Sequence, residues 1–260
     1  MKIIMIPKII HICWLSGDEY PEDIKRCLDS WKEHLSDYEV MLWDTKRFDI
    51  NQLQWTREAF QAKKYAFAAD YIRMYALYNY GGIYLDSDVK VYKSFDDLLG
   101  LPYFIGEDNV HCFEPAIIGA EKGCGFIRDI MRRYENRPFI KNGSYDMRGL
   151  PLVCHDMLAS RYQFRLLKDK TDFKDDKGVI NIFPYDYFNS RDFCGARHYP
   201  NSYCSHNYAA SWLKGQRDWK KELKQRLPRT ILNCYYAWRY LLIDKKGLAA
   251  VQIPYSEGKK

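Results

Sequence analysis

Apolar residues in this chain fall into short continuous runs separated by longer stretches of helical periodicity. Lys8 to Trp14 is a near-continuous apolar run, as in a strand buried on both faces of a parallel sheet. Pro21 opens a helix to about His34, Pro being favoured in a first helical turn. Glu39 to Trp43 is a second strand. Glu58 to Tyr80 reads as largely helical: from Lys63 onward it has no Pro or Gly, and Phe67, Met74 and Leu77 recur at helical spacing. Gly81 and Gly82 stop it, because Gly tolerates the left-handed conformation of a C-cap. Ile83 to Leu85, Tyr103 to Glu107 and Pro115 to Ala120 are further short strands; Gly125 to Tyr134 and Leu150 to Ser160 are helices. This rhythm predicts an α/β domain with a Rossmann-like, mixed but mainly parallel sheet flanked by helices. In such sheets ligands bind beyond the carboxyl ends of the strands. Trp14 and Asp86 both fall at such ends.

The stretch from Ala66 to Val91, AFAADYIRMYALYNYGGIYLDSDVKV, carries the most chemistry. Asp70 and Arg73 are three apart and share a helix face. If the strand stays extended past Leu85, Tyr84, Asp86 and Asp88 point one way and Ser87 the other. Two carboxylates on one side suit a hard cation, Mg2+ or Mn2+, which takes oxygen ligands and completes its shell with water and phosphate. The competing readings are a solvated aspartate turn and an exposed Asp70–Arg73 helix pair of ~0.3–0.5 kcal/mol. The position of the aspartates directly after GGIYL favours the metal reading.

The string AADYIRMYALYNYGGIYLDSDV resembles the sugar-binding signature of DXD-containing glycosyltransferases of the family-32 group, which includes bacterial capsular polysaccharide transferases and the yeast Golgi initiating mannosyltransferase. The catalytic domains of clostridial glucosylating toxins are more distant relatives. IPKIIHICWLSG resembles the family's first strand, and INIFPYDYF (180–188) and SHNYAASW (205–212) give later matches, so the resemblance runs from about Pro7 to Trp212. It implies a GT-A fold over residues 1–212, with 213–260 as a C-terminal helical extension. It implies base stacking by Trp14, donor-sugar hydrogen bonds by Asp70, sugar or diphosphate contact by Arg73, and a pocket-lining role for Tyr84. Asp86 and Asp88 would hold the metal, and His206, Ser211 and Trp212 would come from a closing loop. The chain reads His206-Asn207-Tyr208 where the family often has paired His or His-x-Trp, which leaves His206 open between metal ligand, phosphate contact and neither. Trp14 is equally a core tryptophan, and Tyr84 equally a core tyrosine.

Composition adds limits. Hydrophobic residues at 47% and charged residues at 28% are ordinary for a globular domain, and 260 residues suffice for one sizeable core. The eight cysteines form no CxxC and follow no recognisable signal peptide, so reduced thiols in a cytoplasmic protein are expected. Residues 214–246 hold ten Lys/Arg and three acidic residues, a net +7 against +6 for the whole chain. Trp219, Leu223, Leu227 and Ile231 lie four apart there, which suits an anionic membrane surface, a helix packed on the core, or a dimer contact. No nucleic-acid motif accompanies the charge. The charge-rich segment 169–177 reads as an exposed loop or turn. Asp108, Asn109, His111 and Glu114 read as a polar loop, and His155–Asp156 as a surface pair.

The expected function is a retaining, metal-dependent transfer of a hexose or N-acetylhexosamine from a nucleotide-sugar to an acceptor hydroxyl. The site residues are Asp70, Arg73, Asp86, Asp88, Trp14, Tyr84, Ser211, Trp212 and, as third metal ligand, His206. UDP is favoured because Trp14 resembles the base-stacking position of UDP-using relatives. The acceptor is expected to be a glycan, lipid-linked if the basic tail meets the inner face of the cytoplasmic membrane, as in capsule, O-antigen or other surface polysaccharide synthesis. The alternatives are a toxin-like transferase acting on a protein and a non-catalytic nucleotide-sugar or glycan binder.

Overall fold

The computed structural model describes residues 5–107, 113–188, 191–192, 195–196 and 200–207. Along the chain run β1 (Ile9–Cys13), α1 (Glu22–His34), β2 (Glu39–Trp43), α2 (Gln54–Gln61), α3 (Tyr65–Tyr80), β3 (Gly82–Leu85) and β4 (Val89–Val91). There follow β5 (Tyr103–Glu107), β6 (Phe113–Ala120), α4 (Gly125–Met131), the small ladder β7 (Ile140–Lys141) with β8 (Ser144–Tyr145), α5 (Leu150–Leu158), β9 (Gln163–Leu166) and β10 (Val179–Ile182). The described part closes with α6 (Tyr185–Phe188), β11 (Arg191–Asp192), β12 (Gly195–Ala196) and β13 (Cys204–His206).

The central sheet is mixed, in the order β2-β1-β3-β6-β5. β1 pairs parallel with β2 and with β3. β6 runs antiparallel to both β3 and β5, so within this sheet the parallel pairs are β2–β1 and β1–β3; β9 and β10 form a separate parallel pair. The chain leaves β1 to one side for β2 and returns to its other side for β3. The crevice beyond the carboxyl ends of β1 and β3 is therefore the place where such a sheet receives ligands.

Alternation along each strand sends side chains to opposite faces. Ile10, Ile12, Ile83, Leu85 and Ile117 join Trp31 of α1, Phe95, Phe188 and Tyr203 in one core. Met41, Trp43, Tyr84, Ile118 and Ala120 join residues of α2 to α5 in the other. α3 is buried nearly all round, including Asp70 and Arg73, because the sheet lies on one side of it and α2 and α4 on others.

Several expectations are corrected. The helical run from Glu58 breaks at 62–64, where Lys63 takes φ 55°, so α2 and α3 are separate. The strands β3 and β6 start earlier than read, and Glu114 belongs to β6 rather than to a loop. α4 ends at Met131 and α5 at Leu158. His155 is buried against Phe164, and Asp156 pairs with Arg148 at 2.5 Å, so the two are not a surface pair. Segment 169–177 does open with a turn, the 3-10 turn Lys170–Asp172, capped by the Asp169 carboxylate. Cys13, Cys27, Cys124, Cys154 and Cys204 are free thiols among the described residues. No helix among the described residues is long and apolar enough to cross a membrane. The 212/213 boundary, the tail 214–246, Ser211 and Trp212 lie outside the described residues, as do Asp108, Asn109 and His111.

The corner between α3 and β3 sets where the site begins. Gly81 caps α3 with φ +68°, its N–H donating to Leu77 O at 2.9 Å. Its carbonyl is held at 2.7 Å by Nε2 of His11, whose Nδ1 accepts from Trp43 Nε1 at 3.1 Å. Burial pushes the His11 imidazole down to about 4, so the neutral ring serves as a fixed strut. Gly82 has φ +111°, and a Cβ there would sit 2.6 Å from the Ile9 carbonyl oxygen of the neighbouring strand. Gly82→Ala is expected to cost roughly 3 kcal/mol, combining a disallowed φ with a backbone clash. A urea midpoint within error of the unaltered chain would contradict it.

Candidate active site

Beyond Leu85 the chain does not stay extended. Val89 N–H donates to Asp86 O at 3.0 Å, closing a turn over Asp86–Val89. Asp86 and Asp88 therefore converge through a turn, not through strand alternation. From β4 the ladder with β13 aligns His206 with Val89, and Asn207 N–H donates to Asp88 O at 3.1 Å. That ladder carries His206 across 118 residues of sequence to the aspartates: its Nε2 lies 3.3 Å from Asp88 Oδ1. One donor atom each from Asp86, Asp88 and His206 lie within 4.8 Å of one another.

Arg73 reaches the same place from α3. Its guanidinium lies 3.3 Å from Asp70 Oδ1 and 3.3 Å from Asp86 Oδ1, donates to Pro115 O at 2.9 Å, and sits 4.6 Å from the Tyr84 ring centre. Tyr84 donates its hydroxyl to Asp86 Oδ1 at 2.9 Å. Tyr84 is 1% exposed, so it supports Asp86 from beneath and does not line a pocket. Asp70 and Arg73, 7% and 5% exposed, are not the exposed helix pair considered above.

Three consecutive residues of β6 brace this cluster. Glu114 Oε1 lies 3.4 Å from His206 Nδ1, the Pro115 carbonyl takes Arg73, and the Ala116 carbonyl accepts the Asp86 N–H at 2.9 Å. The sequence reading assigned Glu114 no metal role. The available signal was a lone carboxylate inside the apolar run FEPAIIGA, where burial demands a partner.

Burial raises the Asp70 carboxyl to about 7 against the pull of Arg73. It raises Asp86 as well, opposed by Arg73 and His206. For His206 burial acts downward, but Glu114 and Asp88 outweigh it and hold the imidazole well above its usual range. Four acidic side chains (Asp70, Asp86, Asp88, Glu114) thus face one permanent cation, Arg73; the His206 ring, which they hold protonated in the metal-free site, offers a nitrogen to a metal by giving up one proton. Surplus negative charge beside two carboxylates and an imidazole suits a divalent cation that accepts both oxygen and nitrogen donors, and ligands about 2.1 Å from such an ion stand up to about 4.2 Å apart.

Trp14 lies at the end of β1, where its N–H extends the ladder to Trp43 O at 3.0 Å. Its indole donates to Asp18 O at 2.7 Å and packs 4.7 Å from the Tyr20 ring. It is half-buried, neither a core tryptophan nor a fully open face. Cys13, next to it, is half-buried and lies near Arg73, Tyr84 and Asp86, which brings the β1 end to the cluster.

Residues 21–105 match the family described as "Glycosyltransferase sugar-binding region containing DXD motif". This segment is thus similar to glycosyltransferase sugar-binding regions over about a third of the chain. It contains Asp70, Arg73, Tyr84, Asp86 and Asp88; Trp14, Glu114 and His206 lie outside the matched span. The chain is 32% identical over 131 residues to inositol phosphoceramide mannosyltransferase 3 of Schizosaccharomyces pombe, covering 49% of this chain and 36% of that protein. It is 33% identical over 108 residues to mannosyl phosphorylinositol ceramide synthase SUR1 of Saccharomyces cerevisiae, covering 39% and 27%. The chain thus spans about a third of the length of these relatives. Among solved structures, PaToxG Glycosyltransferase aligns with a TM-score of 0.43 at 21% identity, over 60% of this chain and 69% of its own. The matched span supplies the α3 face and the aspartate turn, while the imidazole and its carboxylate arrive from β13 and β6.

Proposed function

We propose that the chain transfers a hexose from a nucleoside-diphosphate sugar to an acceptor hydroxyl in a divalent-metal-dependent reaction. The convergence of Asp86, Asp88 and His206 within 4.8 Å, beside the buried Asp70–Arg73 pair, carries this reading. A bound Mn2+ or Mg2+ would supply charge neutralisation for the diphosphate leaving group. Asp86 and Asp88 would hold it, with His206 completing the protein ligands. Arg73, fixed by Asp70, Asp86 and the Pro115 carbonyl, keeps the Asp86 carboxylate aimed at the turn rather than at the core. The sugar C1–O bond to the diphosphate breaks as the acceptor oxygen bonds C1. The acceptor proton passes to the departing phosphate oxygen, a front-face course that retains the anomeric configuration.

The names of the fungal relatives support mannose as the first donor sugar to test and an inositol phosphoceramide as the first acceptor, a lipid where the sequence pointed to a glycan. The UDP preference, the Trp14 stacking role, a surface-polysaccharide acceptor and a cytoplasmic, membrane-peripheral location belong to the same proposal. Ser211 and Trp212 are proposed with the closing loop. A panel of UDP- and GDP-sugars should raise the melting temperature only with Mn2+ or Mg2+ present, since a ligand that binds the native state alone stabilises it; at a hundredfold excess over Kd the gain is about 2.7 kcal/mol. No shift with any nucleotide-sugar in well-folded protein would sink the transferase reading.

A further inference from the structure

We propose that Glu114 is a positioning residue, which orients the His206 imidazole so that Nε2 faces the cation held by Asp86 and Asp88. This role rests on the metal-dependent reading above. An imidazole binds a metal through one nitrogen's lone pair, and the hydrogen bond made by the other nitrogen decides which one is available. Nδ1 of His206 faces Glu114 Oε1 at 3.4 Å, and Nε2 faces Asp88 Oδ1 at 3.3 Å. An ionised carboxylate only accepts, so Glu114 draws the ring proton to Nδ1 and leaves Nε2 as the ligand.

Glu114 is itself fixed. It is 3% exposed, and its Oε1 accepts the Ala116 N–H at 3.2 Å. β6 is hydrogen-bonded to β3 in the central sheet, and β3 leads through the aspartate turn into β4, which pairs with β13, so carboxylate, imidazole and aspartates are tied by two ladders joined at the turn. Neither Glu114 nor His206 falls within the matched sugar-binding span.

The test is the Mn2+ affinity of the full chain, read by titration with free Mn2+ followed by electron paramagnetic resonance. Glu114→Ala should weaken binding about 10–100-fold, whereas Glu114→Gln, which keeps an acceptor oxygen, should stay within about fivefold. In a His206→Ala background, Glu114→Ala should have no further effect, because its action passes through the ring. Independent, multiplying losses from the two substitutions would overturn the positioning role, as would unchanged affinity in Glu114→Ala. If the unaltered chain binds no Mn2+, or Asp88→Ala binds it equally well, the metal reading itself fails. Loss in Asp88→Ala without loss in Glu114→Ala defeats the positioning role alone.

Discussion

Asp88→Ala is expected to lower sugar transfer about a thousandfold while leaving the fold intact. The side chain stands on a turn at the sheet edge, and its removal subtracts one carboxylate from a cluster already overloaded with them. Its backbone carbonyl still accepts the Asn207 N–H, so the β4–β13 ladder and His206 stay in place. The loss should therefore show in kcat and in metal affinity, with the melting temperature unchanged or slightly raised. Asp86→Ala is a poorer probe, because Asp86 also partners Arg73 and Tyr84 and its loss strips both. The checking measurement is initial rate at saturating Mn2+ beside a thermal melt. Retention of activity within about threefold would remove Asp88 from the chemistry.

Arg73→Leu should cost about 3–5 kcal/mol of stability in the metal-free protein, because it leaves the buried Asp70 and the half-buried Asp86 without their cation. The size of the loss should depend on pH. Burial already raises the Asp70 carboxyl to about 7, and without Arg73 it rises further. A carboxyl whose folded pKa exceeds its unfolded value binds more protons when folded. Stability is therefore present at low pH and lost as pH climbs towards the folded pKa. The penalty of Arg73→Leu should accordingly be larger at pH 8 than at pH 5, where protonation relieves the unpaired charge. Urea unfolding at both pH values in EDTA measures it. Equal penalties at the two pH values would mean that Arg73 acts through packing on Tyr84 rather than through charge.

The alternation of apolar runs was enough to place β1, α1, β2 and β5 to within about a residue, since each buries its pattern against one sheet. The glycine pair was likewise legible, because a left-handed corner leaves few other choices. The length of α3 was harder to read: a helix enclosed on several sides shows no polar face from which to judge exposure, so Asp70 and Arg73 could be taken for a surface pair. The convergence of the two aspartates was read from the wrong geometry, because a turn and an extended strand both bring residues two apart to one side.

The sequence by itself determined the local elements, the aspartate pair and the likeness to a sugar-binding region, all of which depend on residues close together in the chain. Only the tertiary structure decided that His206 joins Asp86 and Asp88, that Glu114 stands behind His206, and that Arg73 is locked among Asp70, Asp86 and the Pro115 carbonyl. Those partners lie up to 118 positions apart. They meet because strand pairing fixes register between distant segments, and register is set by the burial of whole faces rather than by any motif.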